Sequence, residues 1–365
     1  MTNAIPTHDS KYTTPNSQKM SVLTAPETLA DRWAAYQQAY PKSRIRDAAQ
    51  VLGTSEAALL ATRNTGLPDS PVVALAGDFK ELLKQVPTLG RVLALTRNDS
   101  VVHERKGPYL DVSFQGPMGL VLGEDIDLRL FMMHWQHGFA VSENGRRSLQ
   151  FFAADGEALH KIYVLDGETD LAAYEGLVER FRAHDQPNSL ATGPAPQPAA
   201  EAADDTIDVA GFQAAWRALP DTHAFFGLLR QFGVSRTQAL RLGPPELVRQ
   251  VDNEAIEKAL RAAAEQAQAV MIFVGSRGCI QIHTGPVHKI VPTGPWLNVL
   301  DPDFNLHLKL EDVAQSWVVQ KPTADGIVTS LELFDAQGNN LLLLFGKRKP
   351  GIPEQESWRA LVAAL

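Results

Sequence analysis

The chain has 365 residues, 44% of them hydrophobic and 21% charged, with a formal net charge of −8. That is apolar material for two ordinary domains, each with a core. The acidic balance and the lack of a basic stripe argue against a nucleic-acid partner. A single cysteine, Cys279, excludes a disulfide framework, a cysteine-rich zinc site and an iron–sulfur cluster held by this chain alone. No apolar run approaches the roughly 20 residues that span a bilayer, and the first 20 residues lack the apolar centre of a secretory signal. The expected location is the cytoplasm.

In chain order, residues 1–26 read as a flexible tail. Residues 27–62 show apolar spacings of three and four, with Gly53 punctuating between helices. Short alternating segments follow, among them RVLAL, SVVHE, DLRLF and SLQFF. They are bounded by Gly, Pro, Asn and Asp, the pattern of an antiparallel sheet. The Pro/Ala-rich stretch at 185–206 reads as an exposed linker. Helical spacing returns at 208–243, punctuated by Gly233, and strand-like segments follow again: MIFV, CIQIH, NLHLKL, SLELF and LLLLF.

The same order twice over is an internal duplication. IDLRL (126–130) matches FNLHL (304–308), and SLQFFAADG (148–156) matches SLELFDAQG (330–338). Gly53 matches Gly233, and by residue type Arg97 matches Arg277 and His103 matches His283, all 180 residues apart. Helices first and strands after give the α+β class, a tandem duplication of a helical segment followed by a large antiparallel β-sheet. The expected units are a first repeat at 27–184 and a second at 207–365.

Common catalytic motifs are absent: there is no GxGxxG opening a helix, no Walker loop, no HExxH and no GxSxG. His134 and His137 have a spacing that suits a metal, but no third ligand accompanies them, so an ordinary exposed pair is the better reading. His283 and His288 read as a strand-end pair. His223 says more. It stands at a helix start, PDTHAFFGLLRQFG, with Asp221 or Thr222 as the cap. Phe225, Leu228, Leu229 and Phe232 share one face of that helix, and His223, Phe226, Gly227 and Arg230 share another. A glycine within a helix costs about 1 kcal/mol against alanine, and here it leaves room for a flat ligand. A solvated side chain and a ligand both remain open for His223. The first repeat has Ser43 at or next to this place. In DLRLF, alternation sets Arg129 and Phe131 on the face opposite Leu128 and Leu130, and the second repeat has His307 where the first has Arg129. A plain surface cation and a group held over a planar ligand are both open for Arg129. Lys321, Lys347, Arg348 and Lys349 add cations to the second repeat.

From about Asp31 to Leu365 the chain resembles the cytoplasmic haem-utilisation proteins of Gram-negative bacteria, the HemS/ChuS/PhuS/HmuS type. DLRLF, SLQFFAADGEALHKIYV, WRALPDTHAFFGLL, QVDN, MIFVGSRGCIQIHTG, SWVVQKPTADGIVTSLELFDAQG and PEQESWRALV carry the resemblance. It implies one haem (iron protoporphyrin IX) in a cleft between a helix and the sheet of the second repeat. By resemblance His223 is the proximal iron ligand and Arg129, beside Phe131, the distal arginine. Arg236, Lys321 and Arg348 match cations near the propionates, and Phe273 matches an aromatic packing on the porphyrin. Some relatives have tyrosine where this chain has Phe345, with Lys347 the neighbouring polar group. These residue types suit haem: imidazole for iron, aromatic area for the disc, guanidinium forks for carboxylates. The implied function is holding haem during uptake and passing it on for iron release. The alternative is opening the porphyrin ring with an external electron donor, Arg129 then being the catalytic group. The implied partners are a haem oxygenase or reductase as acceptor and the inner-membrane haem transporter.

Overall fold

The computed structural model describes residues 28–197, 200–349 and 351–365. The tail expected at 1–26 lies outside them. The first repeat opens with three helices, α1 (Leu29–Ala39), α2 (Ile45–Val51) and α3 (Glu56–Ala61). Its strands are β1 (Val72–Leu75), β2 (Gly90–Arg97), β3 (Val101–Pro108), β4 (Ser113–Gln115), β5 (Met118–Leu122), β6 (Asp127–Phe131), β7 (His137–Glu143), β8 (Arg146–Phe152) and β9 (Ala158–Thr169). Helix α4 (Phe79–Leu83) follows β1 and α5 (Leu171–Phe181) follows β9.

The second repeat runs through the same series. Its helices are α6 (Val209–Arg217), α7 (Ala224–Phe232), α8 (Arg236–Leu242), α9 (Ala255–Glu265) and α10 (Glu356–Ala363). Its strands are β10 (Val248–Val251), β11 (Val270–Gly275), β12 (Cys279–Gly285), β13 (Ile290–Thr293), β14 (Trp296–Leu300), β15 (Phe304–Lys309), β16 (Gln315–Thr323), β17 (Gly326–Phe334) and β18 (Asn340–Gly346). No helix among the described residues is long and apolar enough to cross a membrane.

The sheets do not follow the repeats. One has the order β1-β7-β8-β9-β2-β3-β15-β14-β13, and the other β10-β16-β17-β18-β11-β12-β6-β5-β4. Each repeat keeps six strands and lends its middle three to the other sheet. The sequence reading had no signal for this exchange, because alternation shows which side of a strand is buried, not which strand lies beside it. The exchange covers a strand edge on each side: β3 is capped by β15 and β12 by β6, leaving no unpaired ladder in the middle of either sheet.

Ladder register corrects two of the expected equivalences. Arg97 lies opposite Val102 as Gly275 lies opposite Ile280, and His307 faces Val102 as Arg129 faces Ile280. Arg97 therefore corresponds to Gly275, not Arg277, and His103 to Gln281, not His283. Matching by residue type had drifted two positions, which keeps the same face of a strand and so leaves no trace in the apolar pattern.

The helical thirds keep the expected spacing. Gly53 and Gly233 both end a helix in the left-handed conformation (φ 63° and 64°), where a β-carbon is costly. Ser55 and Ser235 then cap the next helix, each accepting a backbone N–H at 3.1 Å. The linker is exposed over most of its length and pinned at its far end, where Glu201 and Asp204 pair with Arg241 of α8.

Candidate functional site

In the second sheet, ladder partners fix which side chains share a face. Arg129 and Phe131 of β6, Ile280 of β12, Met271 and Phe273 of β11, Leu343 and Phe345 of β18, Glu332 of β17 and Lys321 of β16 all stand on one side. Leu128, Leu130, Ile272, Leu331, Leu342 and Leu344 point to the other side and are buried to the last atom. Helices α6, α7 and α8 cover only one end of the first face. There Phe212, Trp216, Phe225 and Leu229 form a core with Trp317, Val319 and Phe334. Trp216 meets Phe225 edge-on at 4.6 Å, a geometry worth about 0.5–1.5 kcal/mol beyond area.

Beyond α7 the face is uncovered. Met271, Phe273, Ile280, Leu343, Phe345, Arg129 and Phe131 are all half-buried, and Phe273 meets Phe345 edge-on at 5.2 Å. On β5 the alternate side chains Met118, Leu120 and Leu122 are exposed and extend the apolar strip. A half-exposed row of large apolar groups on one sheet face signals a binding surface rather than a core.

Helix α7 borders this face. The β16–β17 hairpin holds its start: Ala324 N–H donates to the Pro220 carbonyl at 3.1 Å. The Asp221 carboxylate then accepts the N–H groups of His223 (2.7 Å) and Ala224 (3.0 Å), which ties down the chain just ahead of the helix, whose N-cap position is His223 rather than the expected Asp221 or Thr222. The His223 imidazole is 96% exposed, with Nδ1 3.5 Å from Asp221 Oδ1. On the same side Phe226 is 63% exposed, with the Arg230 guanidinium 5.2 Å from its ring centroid. A β-carbon on Gly227 would meet nothing within 4 Å. The glycine leaves open space outside the helix, not a tight packing contact within the fold.

The expected cations divide. Arg236 donates through Nε and Nη2 to both oxygens of Glu332 (2.8 and 2.9 Å), and Lys321 donates to Glu332 at 2.8 Å. Lys321 and Glu332 are buried, and the Lys321 ammonium lies 4.6 Å from the Phe225 ring centroid. Burial alone would raise the Glu332 carboxyl, but the two cations outweigh it and hold it at about 2. Burial pulls the Lys321 ammonium down against the pull of Glu332. Two cations on one carboxylate leave an excess positive charge beside the uncovered face. Glu332 was not singled out from the sequence. Its one signal was an acid at an inward position of an apolar strand, SLELF.

Lys347, just past β18, is exposed. Arg348 is half-buried, with Nη2 3.7 Å from Asp325, and its Nε is buried without a partner. Arg129 pairs with Asp127 on its own strand. Its strand is docked by Phe131 N–H and Trp135 Nε1–H, which donate to the Gly278 carbonyl at 3.0 and 2.9 Å. The strand exchange thus sets Arg129 and Phe131 of the first repeat on one face with Phe273, Lys321 and Glu332 of the second. Phe226, Phe345, Met271, Ile280 and Leu343 complete that surface and were not among the expected site residues.

Among the described residues no group of three or more His, Cys, Asp or Glu side chains could hold a metal ion. His134 is exposed and His283 is buried, stacked on Phe304 at 3.8 Å. A cavity of about 1250 Å³ lies elsewhere, between the start of α2–α3 and the β2–β3 and β8–β9 turns of the first repeat.

Comparison with known proteins agrees with this architecture. The hemin transport protein HmuS of Yersinia pestis is 40% identical over 331 residues, which cover 89% of this chain and 94% of that one. The crystal structure of holo-PhuS, a heme-binding protein from Pseudomonas aeruginosa, superposes with a TM-score of 0.88 at 46% identity, covering 91% of this chain and 96% of that one. ChuS, described as an E. coli heme oxygenase, superposes with a TM-score of 0.82 at 36% identity, covering 92% and 98%. The model of the haemin-degrading HemS/ChuX domain matches twice, at residues 53–181 and 233–365, and the chain belongs to that family.

Proposed function

We propose that this protein holds one haem between α7 and the uncovered face of the second sheet, with His223 as the iron ligand, and passes it on for iron release in the cytoplasm. The strand exchange is the observation that carries the reading. It sets a guanidinium and an aromatic ring from one repeat on the same apolar sheet face as the aromatic row of the other, beside a helix that presents a bare imidazole. The residues fit the group: an exposed imidazole, an uncovered apolar strip, and a buried Arg348 Nε with no partner.

Haem brings a flat apolar disc, two carboxylates and an iron with axial positions to fill. The chain's own groups answer each part. His223 offers an exposed ring nitrogen, with Asp221 Oδ1 3.5 Å from Nδ1. Phe226, Phe131, Phe273 and Phe345 offer apolar area. Arg348 and Lys347, with the excess charge around Glu332, draw carboxylates to the β16–β18 side. Arg236 and Lys321 act there through the field they share with Glu332, because both are already bonded to it. A single exposed ligand on a surface helix favours release to an acceptor, either a haem oxygenase or a reductase-coupled enzyme, and loading from the inner-membrane haem transporter.

Titration of haemin into the full chain tests the ligand. The expected result is one haem per chain with a histidine-ligated spectrum. In His223→Ala that spectrum is lost and affinity falls by more than about 100-fold, beyond the 10–100-fold cost of losing a supporting partner. An unchanged spectrum and affinity in that variant would overturn the assignment.

Ring opening is the second reading, favoured by Arg129, a donor on the sheet side of the site, and by the description of ChuS as a heme oxygenase. The chain has no glycine-rich nucleotide motif, so electrons would come from a partner. Incubation of the loaded protein with a reductase and catalase decides between the two. Tetrapyrrole product with freed iron supports the enzyme, and intact haem that moves quickly to an apo haem oxygenase supports the carrier.

A further inference from the structure

Asp127 and Arg129 stand two residues apart on β6 and share the uncovered face of the second sheet. Ladder register flanks them with apolar side chains. Leu122 and Leu120 lie opposite them on β5, and Ile282 and Ile280 on β12. Arg129 Nη1 donates to the Asp127 carboxylate and, at 3.3 Å, to the Leu128 carbonyl. Both bonds turn the guanidinium back along its own strand. The carboxylate is the more buried member, 19% exposed against 36% for the guanidinium. Neither has another ion-pair partner among the described residues.

The fold does not ask for this acid. Aspartate is depleted in strands, and the first sheet has none at the matching place. By register His307 stands there for Arg129 and Asn305 for Asp127. His307 is held sideways instead. Its Nδ1 lies 2.7 Å from Asn298 Oδ1 on β14, and the Asn298 amide donates to the Val291 carbonyl at 2.9 Å. Acid and base are thus present together in one sheet and absent together from the other. An ion pair flanked by apolar groups is held more strongly than one in water, and its two charges largely cancel for anything lying on the face.

We propose that Asp127 is a positioning residue, which holds Arg129 along β6 as a neutralised pair and so withholds a free guanidinium from the sheet side of the ligand. The inference rests on the haem reading and deepens it. The site holds haem without presenting a charged donor to the axial position opposite His223. An anion at that position gains a bond from Arg129 only when the pair opens. Ring opening, which would use Arg129 as its donor, needs Asp127 to let go first.

Azide, a small anion that takes a free axial position of ferric haem, tests this on the full chain loaded with haemin. Its affinity is read from the visible spectrum in the parent, Asp127→Asn, Asp127→Glu and the double variant Asp127→Asn/Arg129→Gln. Asp127→Asn copies Asn305 of the first sheet, so the strand keeps its shape. Azide is expected to bind about tenfold or more tighter in Asp127→Asn than in the parent, as for a charge-assisted hydrogen bond gained. Asp127→Glu keeps the charge and stays closer to the parent. The double variant loses the gain, because the gain belongs to the freed guanidinium. The proposal is overturned if Asp127→Asn binds azide as the parent does. It is also overturned if the gain survives in the double variant, which would assign it to the lost negative charge alone. Failure of the haem reading looks different: the parent then takes up no haemin with a histidine-ligated spectrum, and both readings fall together.

Discussion

Helices α2 and α7 hold the same place over their sheets, yet the groups beneath and beside them are opposite in kind. Over the first sheet, the acid is on the helix side and the base on the strand: Glu56 of α3 pairs with Lys161 of β9. Over the second, the base is on the helix side and the acid on the strand: Arg236 of α8 pairs with Glu332 of β17. A helix-to-sheet ion pair is present in both repeats with opposite polarity, but on neighbouring strands: by register Lys161 stands where the second repeat has Leu343, and Gln150 where it has Glu332. In the second repeat the acid also serves Lys321, so the cluster gains a positive charge beside an apolar face. In the first, buried Lys161 alone pairs with Glu56, with no second cation bonded to that acid. A duplicated frame can thus keep its architecture while the charged groups beneath its helices change place and sign. Neither arrangement requires a change of backbone.

The sharpest way to break this comparison is at the reversed ion pair. Glu332→Gln leaves Arg236 and Lys321 facing each other beneath Phe225 without a counter-charge. Losing one partner of a buried ionic cluster costs about 3–5 kcal/mol, so denaturant melts should show a loss of that order. Glu81→Gln, at an exposed i,i+3 pair with Lys84, should change stability by less than about 1 kcal/mol. Equal effects at the two sites would mean that the Glu332 cluster is solvated and the contrast between the repeats is superficial.

A second contrast lies in the buried histidines. His103 and His160 belong to the first sheet and His283 to the second. Burial holds His103 well below the ordinary imidazole range, and holds His160 and His283 at about 3. His103 has no hydrogen-bond partner on either ring nitrogen. His160 is held between Thr96 (2.8 Å) and Tyr109 (2.6 Å). Each is neutral in the folded chain and takes a proton on unfolding once the pH drops below about 6.5. The unfolded state then binds more protons, so stability is full above that pH and falls as pH is lowered towards the folded-state values. The expected slope is up to about 1.4 kcal/mol per pH unit for each histidine. Melts between pH 7 and 5 check this, and His103→Gln should give a shallower decline than the parent. The same slope in that variant would remove His103 from the account.

The smallest expected effect is the most specific. Gly227→Ala fills open space on an exposed helix face, so it should stabilise α7 by about 0.5–1 kcal/mol. If a flat ligand lies against that face, the same methyl should weaken haem binding while the fold becomes more stable. Stabilisation without weaker binding would place the ligand away from α7.

The duplication, the helices at 27–62 and 208–243, and most strands were legible in the sequence because they rest on local periodicity and turn chemistry. The cap of α7, expected at Asp221 or Thr222, is His223, with Asp221 bonding its N–H from two residues upstream. The residues named for the site were found by resemblance, and their types alone left His223 and Arg129 open between surface and ligand. What one sequence cannot carry is which strand pairs with which. Only the tertiary structure places β6 against β12, and with it Arg129 and Phe131 on the sheet face that bears Phe273. Only the tertiary structure commits Lys321 and Arg236 to Glu332, because that pairing joins a helix to two strands about 100 residues further along the chain. The sequence determined the repeated unit through contacts within a few residues. The three strands that each copy gives to the other depend on sheet edges far apart in the chain, and those edges turned two copies of one unit into two unlike clefts.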